Sequence, residues 1–397
     1  MINNIKKRLH PNLLYAFNLN KLTSYRIILE LKHNSSSLIK KIQNNQGCIF
    51  THHIPDLNLV CCTVPHKFLY TLVNSPQVKY ISFDSEVFLC GNKLFPETEK
   101  SSYKTSANNN TLTGKNITIA MIDSGIYPLD TFTKSKNRIL FFKDIVNDFS
   151  YPYDDNGHGT AMCNIIGGNF TYKNKILKNS SECNFCMIKA FDKYNKSYCS
   201  LIFKAIDLIL EISSKYNIQI LYLPFELYEF NNFLLNIFQA LINKISKSNI
   251  IVLLPIGNNS TNYSSLKGLS LLNNCIVVGG NNFKDSSKGI YINTFIKPNV
   301  ISIYENIKVQ NIDVKYIPEK NNQYIYPTKL KNSSIEYFGS SCSCAYVSSL
   351  IALLKQKNIS INTIDIISLF KISCNKINNL DNSVQGLGII DITKLLE

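Results

Sequence analysis

Apolar and polar positions divide the 397-residue chain into three zones, and the first runs from about residue 22 to residue 90. Short apolar runs alternate there with amphipathic stretches. The pattern predicts strands at 25–31, 57–64 and 78–88 and helices at 36–44 and 66–74. This β-α-β-α-β order predicts a small α+β domain, an open sheet with helices on one face.

A polar segment separates this zone from the rest of the chain. Residues 91–114 show no apolar period, and the part from 101 to 114 is rich in Ser, Asn, Thr and Lys. Such a composition is typical of a linker or an exposed connection. The chain is therefore predicted to have an N-terminal domain at 1–90, a linker at 91–114 and a C-terminal domain at 115–397.

From residue 115 onward, apolar runs alternate regularly with helical patterns. The pattern predicts strands at 116–122, 186–191, 218–223, 249–254 and 276–279 and helices at 201–216, 230–248 and 345–354. Alternation of this type predicts βαβ units, and so an α/β domain whose parallel sheet has helices on both faces. Sheets of this class carry their functional groups at the carboxyl ends of the strands.

Composition and charge fit a folded protein and narrow its partners. Apolar residues make up 45% of the chain and charged residues 17%. The net charge of +15 would suit nucleic acid or an anionic membrane, but the basic residues are scattered, so we expect neither partner. The N-terminus lacks the apolar core of a signal peptide and no apolar run could span a bilayer, so we expect a cytoplasmic protein.

The 12 cysteines show no metal-binding pattern. Cys183 and Cys186 form one C-x-x-C and Cys342 and Cys344 a C-x-C, without a second ligand pair at comparable spacing. Free thiols in this number favour a reducing compartment. We therefore expect no cofactor held by these cysteines.

Four polar residues stand where apolar strands end or helices begin. Asp123 ends an apolar run, His158 lies between two glycines, Asn258 follows a buried run, and Ser341 opens an apolar helix. Each alone has an ordinary explanation, as a turn residue, a structural histidine or a helix cap. Together, an aspartate, a histidine, an asparagine and a serine in this chain order on an α/β pattern are far more specific than any one of them.

These motifs resemble those of the subtilisin-like serine peptidases, the subtilases, over about residues 115–397. Asp123 matches the family's D-[ST]-G motif, His158 its H-G-T motif, Asn258 its G-N motif and Ser341 its G-[ST]-S motif. The resemblance implies a serine endopeptidase that cleaves peptide bonds through an acyl-enzyme, with an Asp-His-Ser triad and Asn258 as oxyanion donor. It implies no cofactor; some members bind structural calcium, but the sequence shows no ligand loop.

The first 90 residues resemble the propeptide of this family, a small inhibitor and folding chaperone. Residues 78–84 resemble its last strand, and by that register the chain would be cut near Cys90 and Gly91. The resemblance thus implies that the N-terminal domain is an intramolecular inhibitor. A peptidase without an export signal could mature a peptide or process another protein, so we expect a specialised processing or maturation protease that acts on a peptide or protein substrate.

The sequence departs from the family at the edge that binds substrate. The usual Ser-x-Gly is replaced by a segment in which Pro224 lacks a backbone donor and Glu226 brings charge where glycine is usual. With Leu223, Phe225 and Gly257, these residues are candidates for substrate binding. Two interpretations stay open: an unusual pocket that prefers a basic residue, or damaged binding in a pseudo-peptidase that holds a peptide or partner protein without cutting it.

Overall fold

The computed structural model describes residues 7–33, 35–98, 104–105, 111–259, 268–292, 295–320 and 323–397. The chain divides into two compact units. The first comprises the residues up to Glu86 together with Tyr198–Asp207, and the second comprises Val87–Ser197 and Leu208–Glu397. Within the described ranges, no helix is both long enough and apolar enough to cross a bilayer.

The first unit is built on a four-stranded antiparallel sheet in the order β2-β3-β1-β4. Its strands are β1 (Ser24–Leu31), β2 (Ile49–Ile54), β3 (Leu59–Pro65) and β4 (Val78–Phe83). Its helices are α1 (Pro11–Leu19), α2 (Ser36–Gln43) and α3 (His66–Asn74), and a 3-10 turn spans Pro55–Leu57. Apolar side chains of the helices and of β1, β3 and β4 form one core.

The sequence pattern does not predict α1 or β2. Strand β2 lies at the sheet edge and five of its six residues are exposed or half-buried, so it lacks the alternation of a packed strand. The strand predicted at 78–88 is instead two strands, β4 and β5 (Glu86–Leu89). They are separated at Asp84, whose carboxylate accepts hydrogen bonds from Arg26 Nε at 2.5 Å and the Ser200 backbone N–H at 2.8 Å.

The second unit is built on a nine-stranded sheet in the order β10-β13-β9-β15-β17-β18-β21-β27-β26. Its strands are β9 (Thr118–Asp123), β10 (Ile139–Asp144), β13 (Asn184–Lys189), β15 (Ile218–Tyr222), β17 (Ile251–Pro255), β18 (Ile276–Gly280), β21 (Val300–Ser302), β26 (Cys374–Asn375) and β27 (Ile389–Ile390). Neighbouring strands are parallel from β10 to β27, and β27 pairs antiparallel with β26.

Further sheets of the second unit are smaller or more irregular. One has the order β6-β25-β22-β11-β12-β8, with β7 also paired to β25, and the others have the orders β14-β5-β16, β19-β20 and β23-β24. Their remaining strands are β6 (Asn92–Lys93), β7 (Glu97–Thr98), β8 (Lys104–Thr105), β11 (Phe170–Tyr172), β12 (Lys175–Leu177), β14 (Lys196–Tyr198), β16 (Phe225–Leu227), β19 (Ile290–Ile292), β20 (Phe295–Lys297), β22 (Ile307–Gln310), β23 (Glu319–Lys320), β24 (Gln323–Tyr324) and β25 (Ser333–Phe338).

Helices complete the second unit and cover the central strands. They are α4 (Asp130–Thr133), α5 (His158–Gly167), α7 (Asn232–Lys247), α8 (Ser340–Lys357), α9 (Thr363–Ser373), α10 (Asn382–Gln385) and α11 (Ile392–Leu396), with a 3-10 turn at Leu269–Leu271. Helix α6 (Cys199–Ile212) belongs to the first unit up to Asp207 and to the second unit from Leu208. Strands β9, β13, β15 and β17 are buried along their whole length, as expected for parallel strands covered on both faces. The predicted α/β class with a parallel sheet is confirmed.

Helices α5 and α8 pack against each other, and a buried arginine fixes the far end of α5. Arg138 donates hydrogen bonds to the backbone oxygens of Gly167, Cys183 and Thr131 at 2.8, 2.9 and 2.7 Å. One guanidinium therefore joins the C-terminus of α5 to the segment that leads into β13 and to α4.

We expect Arg138→Met to lower the free energy of unfolding by about 3 kcal/mol, because three buried carbonyls lose a charged donor. Urea titration followed by circular dichroism measures this. Lys136→Met, on the exposed loop nearby, is the matched control and should change stability by less than about 0.5 kcal/mol. Equal effects of the two substitutions would contradict the structural role of Arg138.

Candidate active site

Asp123 is the last residue of β9 and its side chain is fully buried. Its Oδ1 accepts a hydrogen bond from the Ser124 backbone N–H at 2.6 Å. Nδ1 of His158 lies 2.9 Å from Oδ1 and 3.0 Å from Oδ2. Because a carboxylate only accepts, the Nδ1 of His158 carries the proton and its Nε2 is left as an acceptor.

His158 is the first residue of α5 and two glycines make its position possible. Gly157 has φ +97°, a conformation that other residues rarely adopt. Gly159 packs so closely that a Cβ there would lie 2.1 Å from the backbone oxygen of Gly125 and 3.1 Å from Oδ1 of Asp123. The Gly-His-Gly sequence thus lets the imidazole approach the end of β9.

Ser341 lies in the first turn of α8, which follows β25 after one residue. Its Oγ is 3.1 Å from Nε2 of His158, so the hydroxyl can donate to the free ring nitrogen. Its backbone oxygen accepts a hydrogen bond from the Tyr222 hydroxyl at 2.9 Å. The predicted residues Asp123, His158 and Ser341 therefore lie in one continuous chain of hydrogen bonds.

Asn258 follows β17 and is held beside the start of α8. Its Oδ1 accepts hydrogen bonds from the Ser340 backbone N–H at 2.8 Å and the Tyr304 hydroxyl at 3.3 Å. This fixes Nδ2 on the other side of the amide. A Cβ placed on Gly339 would lie 2.9 Å from that Nδ2 and 2.7 Å from the backbone oxygen of Cys90. The amide nitrogen of Asn258 and the carbonyl oxygen of Cys90 therefore both lie beside Gly339.

The segment that contains Cys90 runs through this cleft between two short strands. Residues 87–89 pair antiparallel with residues 225–227. The N–H of Cys90 donates to the backbone oxygen of Pro224 at 2.8 Å, and its own backbone oxygen accepts from the Ser341 N–H at 3.0 Å. A carbonyl carbon is thus held beside the Ser341 hydroxyl with its oxygen directed at a backbone donor.

Pairing continues beyond Cys90. Residues 92–93 pair antiparallel with residues 337–338 of β25, and the N–H of Leu94 donates to the backbone oxygen of Glu336 at 2.9 Å. The Cys90–Gly91 peptide bond is therefore held by strand pairing on both of its sides.

A model of the Subtilase family (Peptidase S8) matches residues 114–388. The chain belongs to this family. The predicted family and the serine peptidase class are thereby confirmed. Among characterised subtilase relatives, Serine protease AprX of Bacillus subtilis (strain 168) is 24% identical over 308 residues, which cover 72% of this chain and 67% of that protein.

Solved structures share the subtilase fold. The epidermin leader peptide processing serine protease of Staphylococcus aureus matches with a TM-score of 0.68 at 16% identity, over 94% of this chain and 99% of that chain. Fervidolysin from Fervidobacterium pennivorans, a keratinolytic enzyme related to subtilisin, matches with a TM-score of 0.65 at 14% identity, over 94% of this chain. This chain covers 61% of fervidolysin, less than two thirds of its length.

Part of the altered edge of this subtilase forms the short strand β16 (Phe225–Leu227). Pro224 acts through its carbonyl, which accepts from Cys90, so the missing N–H of proline does not interrupt that contact. Phe225 begins β16 and pairs with Leu89. Leu223 donates its N–H to the backbone oxygen of Leu253, which ties this edge to the central sheet.

Glu226 is the residue of this edge that introduces a carboxylate. Its side chain is buried, and both of its oxygens accept from Nδ2 of Asn259, at 3.2 and 3.0 Å. A Cβ on Gly257 would lie 1.9 Å from Oε1 of Glu226, so the carboxylate rests directly on that glycine. Burial raises the pKa of the Cys90 thiol, and the Glu226 carboxylate raises it further.

A second buried carboxylate, Asp154, was not identified from the sequence. It accepts from the hydroxyl of Ser124 at 2.8 Å, from the N–H of Gly157 at 2.7 Å and from both the N–H and the hydroxyl of Thr160, at 2.9 and 2.6 Å. These bonds fix the turn that carries His158. The Asp-Asp-Asn-Gly run ahead of the Gly-His-Gly-Thr motif is the signal that could have indicated it.

A buried lysine of β13 was missed as well. Nζ of Lys189 lies 2.6 Å from Oδ1 of Asp155 and donates to the backbone oxygens of Ser124 and Phe191, both at 2.8 Å. Burial raises the pKa of Asp155, and the Lys189 ammonium opposes that rise. The ammonium thus joins the end of β9 to the segment before His158.

All twelve cysteines are free thiols and ten of them are buried. Among the described residues, no group of three or more His, Cys, Asp or Glu side chains is arranged to hold a metal ion.

We expect Asp154→Asn to raise hydrogen–deuterium exchange about tenfold at the amides of Gly157 and Thr160, because a hydrogen bond to a charged acceptor contributes about 1.5 kcal/mol or more. Mass spectrometry of peptides that cover residues 154–164 measures this. Asp148→Asn, whose carboxylate is largely exposed, is the control and should leave these amides unchanged. Unchanged protection in Asp154→Asn would remove its role in positioning His158.

Proposed function

We propose that Asp123, His158 and Ser341 are the catalytic triad of a serine endopeptidase. The observation that carries this proposal is their chain of hydrogen bonds, with Nδ1 of His158 2.9 Å from Asp123 and Nε2 3.1 Å from Ser341. The position of the Cys90 carbonyl supports it, since its oxygen accepts from the Ser341 N–H as a substrate carbonyl would. Membership of the subtilase family agrees with this order of residues.

The reaction then follows from the roles of these groups. His158 takes the proton of Ser341 at Nε2 while the hydroxyl oxygen attacks the carbonyl carbon. Asp123 keeps the imidazole in the required tautomer and stabilises its charged form. The Ser341 N–H and Nδ2 of Asn258 hold the developing oxyanion. The protonated His158 gives its proton to the leaving amine, and water then releases the acyl group.

We further propose that the N-terminal region is a propeptide-like inhibitor and that the chain processes or matures a peptide or protein. The inhibitory part is the segment 87–93, which is paired with β16 on one side of the Cys90–Gly91 bond and with β25 on the other. The processing role is supported by the similarity to the epidermin leader peptide processing protease. The proposed steps use protein groups alone and require no cofactor.

Purified chain is expected to cut itself between Cys90 and Gly91, because that bond lies against the nucleophile. Intact-mass analysis and N-terminal sequencing should find a fragment that begins at Gly91. A fluorophosphonate probe should label the cut protein at Ser341. Ser341→Ala should give neither the fragment nor the label.

Ser340→Ala is the matched control, because it removes the neighbouring hydroxyl and leaves Ser341 in place. It should still be cut and labelled. Folded wild-type protein that remains uncut and unlabelled would contradict the triad, and it would favour the pseudo-peptidase that the altered edge left open.

We expect Asn258→Ala to slow cleavage of a peptide substrate by about 10²–10³-fold in kcat, as loss of one oxyanion donor does in related chemistry. KM should change little, since the donor acts on charge that develops in the transition state. Asn273→Ala, at an exposed position, is the control. A rise in KM with unchanged kcat would instead make Asn258 a binding residue.

A further inference from the structure

The side chains of Cys90 and Glu226 are both buried, at 2% and 5% exposed. Their backbones are neighbours in the strand pairing, because Glu226 pairs with Phe88 and the N–H of Cys90 donates to the backbone oxygen of Pro224. Burial, reinforced by Glu226, holds the pKa of this thiol well above its ordinary value. The Cys90 side chain is therefore a neutral S–H group at neutral pH, and such a group can donate a hydrogen bond to a carboxylate.

The carboxylate of Glu226 is held in place. Nδ2 of Asn259 donates to both of its oxygens, and its Oε1 lies against the α-carbon of Gly257. Strand pairing fixes its backbone as well, because Glu226 pairs with Phe88. We therefore expect a side chain longer than cysteine on residue 90 to collide with this carboxylate.

The residue on the other side of the bond is restricted too. A Cβ on Gly91 would lie 2.5 Å from Oγ of Ser341 and 2.6 Å from Nε2 of His158. These two atoms hydrogen-bond each other at 3.1 Å, so neither can withdraw without breaking the contact that the reaction needs.

We propose that Glu226 is a specificity-determining residue that selects a small hydrogen-bond donor, cysteine or serine, on the acyl side of the cleaved bond, with glycine on the other side. The substrate class is thus a peptide with a Cys–Gly or Ser–Gly bond in an extended segment. This inference rests on the proposed triad. The charge of Glu226 alone would suggest a preference for a basic residue. We expect a small residue instead, because the carboxylate fills the space that a long basic side chain would need.

Self-cleavage of the full chain tests the choice of residue. Cys90→Ser should be cut within about tenfold of the wild-type rate, whereas Cys90→Leu and Cys90→Lys should be slowed by about 10²-fold. Gly91→Ala should be slowed by a similar factor. The fragment is measured by mass spectrometry over time, and thermal unfolding shows whether each variant remains folded.

A paired substitution separates the role of Glu226 from damage to the fold. Glu226→Ala combined with Cys90→Leu should recover most of the lost rate, because removal of the carboxylate opens the space for leucine. The combination of Cys90→Leu with Glu211→Ala, an exposed glutamate of α6, should recover nothing. Recovery in both combinations, or in neither while all variants are folded, would overturn the assignment of Glu226.

The same series on hexapeptides, added to wild-type protein after self-cleavage, covers variants that fail to fold. Peptides with the sequence of residues 87–92 and Cys, Ser, Leu or Lys in the fourth position are compared by kcat/KM. Faster cleavage after Lys or Leu than after Cys would overturn the inference while the triad stands. Absence of hydrolysis for every peptide and for the chain itself, with folded protein, would reject the proposed function and this inference with it.

Discussion

Two carboxylates shut off from solvent, those of Asp123 and Asp154, impose the constraint on which the site depends. An ionised carboxylate in the interior is costly unless N–H and O–H groups surround it. Ser124 serves both, with its N–H on Asp123 and its hydroxyl on Asp154. The end of β9 and the start of α5 are thereby fixed relative to each other. His158 is oriented as a consequence, since its Nδ1 completes the donors of Asp123.

The arrangement around Ser341 depends on a different property, the backbone N–H groups that have no partner within the helix at its start. The N–H groups in the first turn of a helix have no partner within the helix. At α8 the N–H of Ser340 is taken by Asn258, and that of Ser341 is directed at the Cys90 carbonyl. The same helix start therefore supplies both the Ser341 hydroxyl and a backbone donor directed at the Cys90 carbonyl. Tyr222 holds the Ser341 carbonyl and so fixes the turn.

Sequence patterns could predict the parallel sheet and the strand-end positions of Asp123 and Asn258, because buried parallel strands are apolar throughout and end abruptly. They could not predict Asp154 or Lys189, whose roles depend on partners from several segments that only the fold brings together. The edge strand β2 was not predicted, because its residues are mostly half-exposed and show no alternation of buried and exposed positions. The role of Pro224 could not be predicted either. The sequence shows only that its backbone N–H is missing, whereas in the structure its backbone carbonyl accepts a hydrogen bond.

Register and side-chain selection act together on the Cys90–Gly91 bond. The pairs with β16 and β25 fix the segment on both sides, and β25 leads into Ser341 through two residues. A slip by one residue would turn each side chain to the opposite face of the strand and present a different bond. The strand pairing thus decides which peptide bond lies against Ser341, whatever side chains flank that bond. Glu226 then acts at one position, where it can distinguish segments that the backbone contacts alone would accept equally.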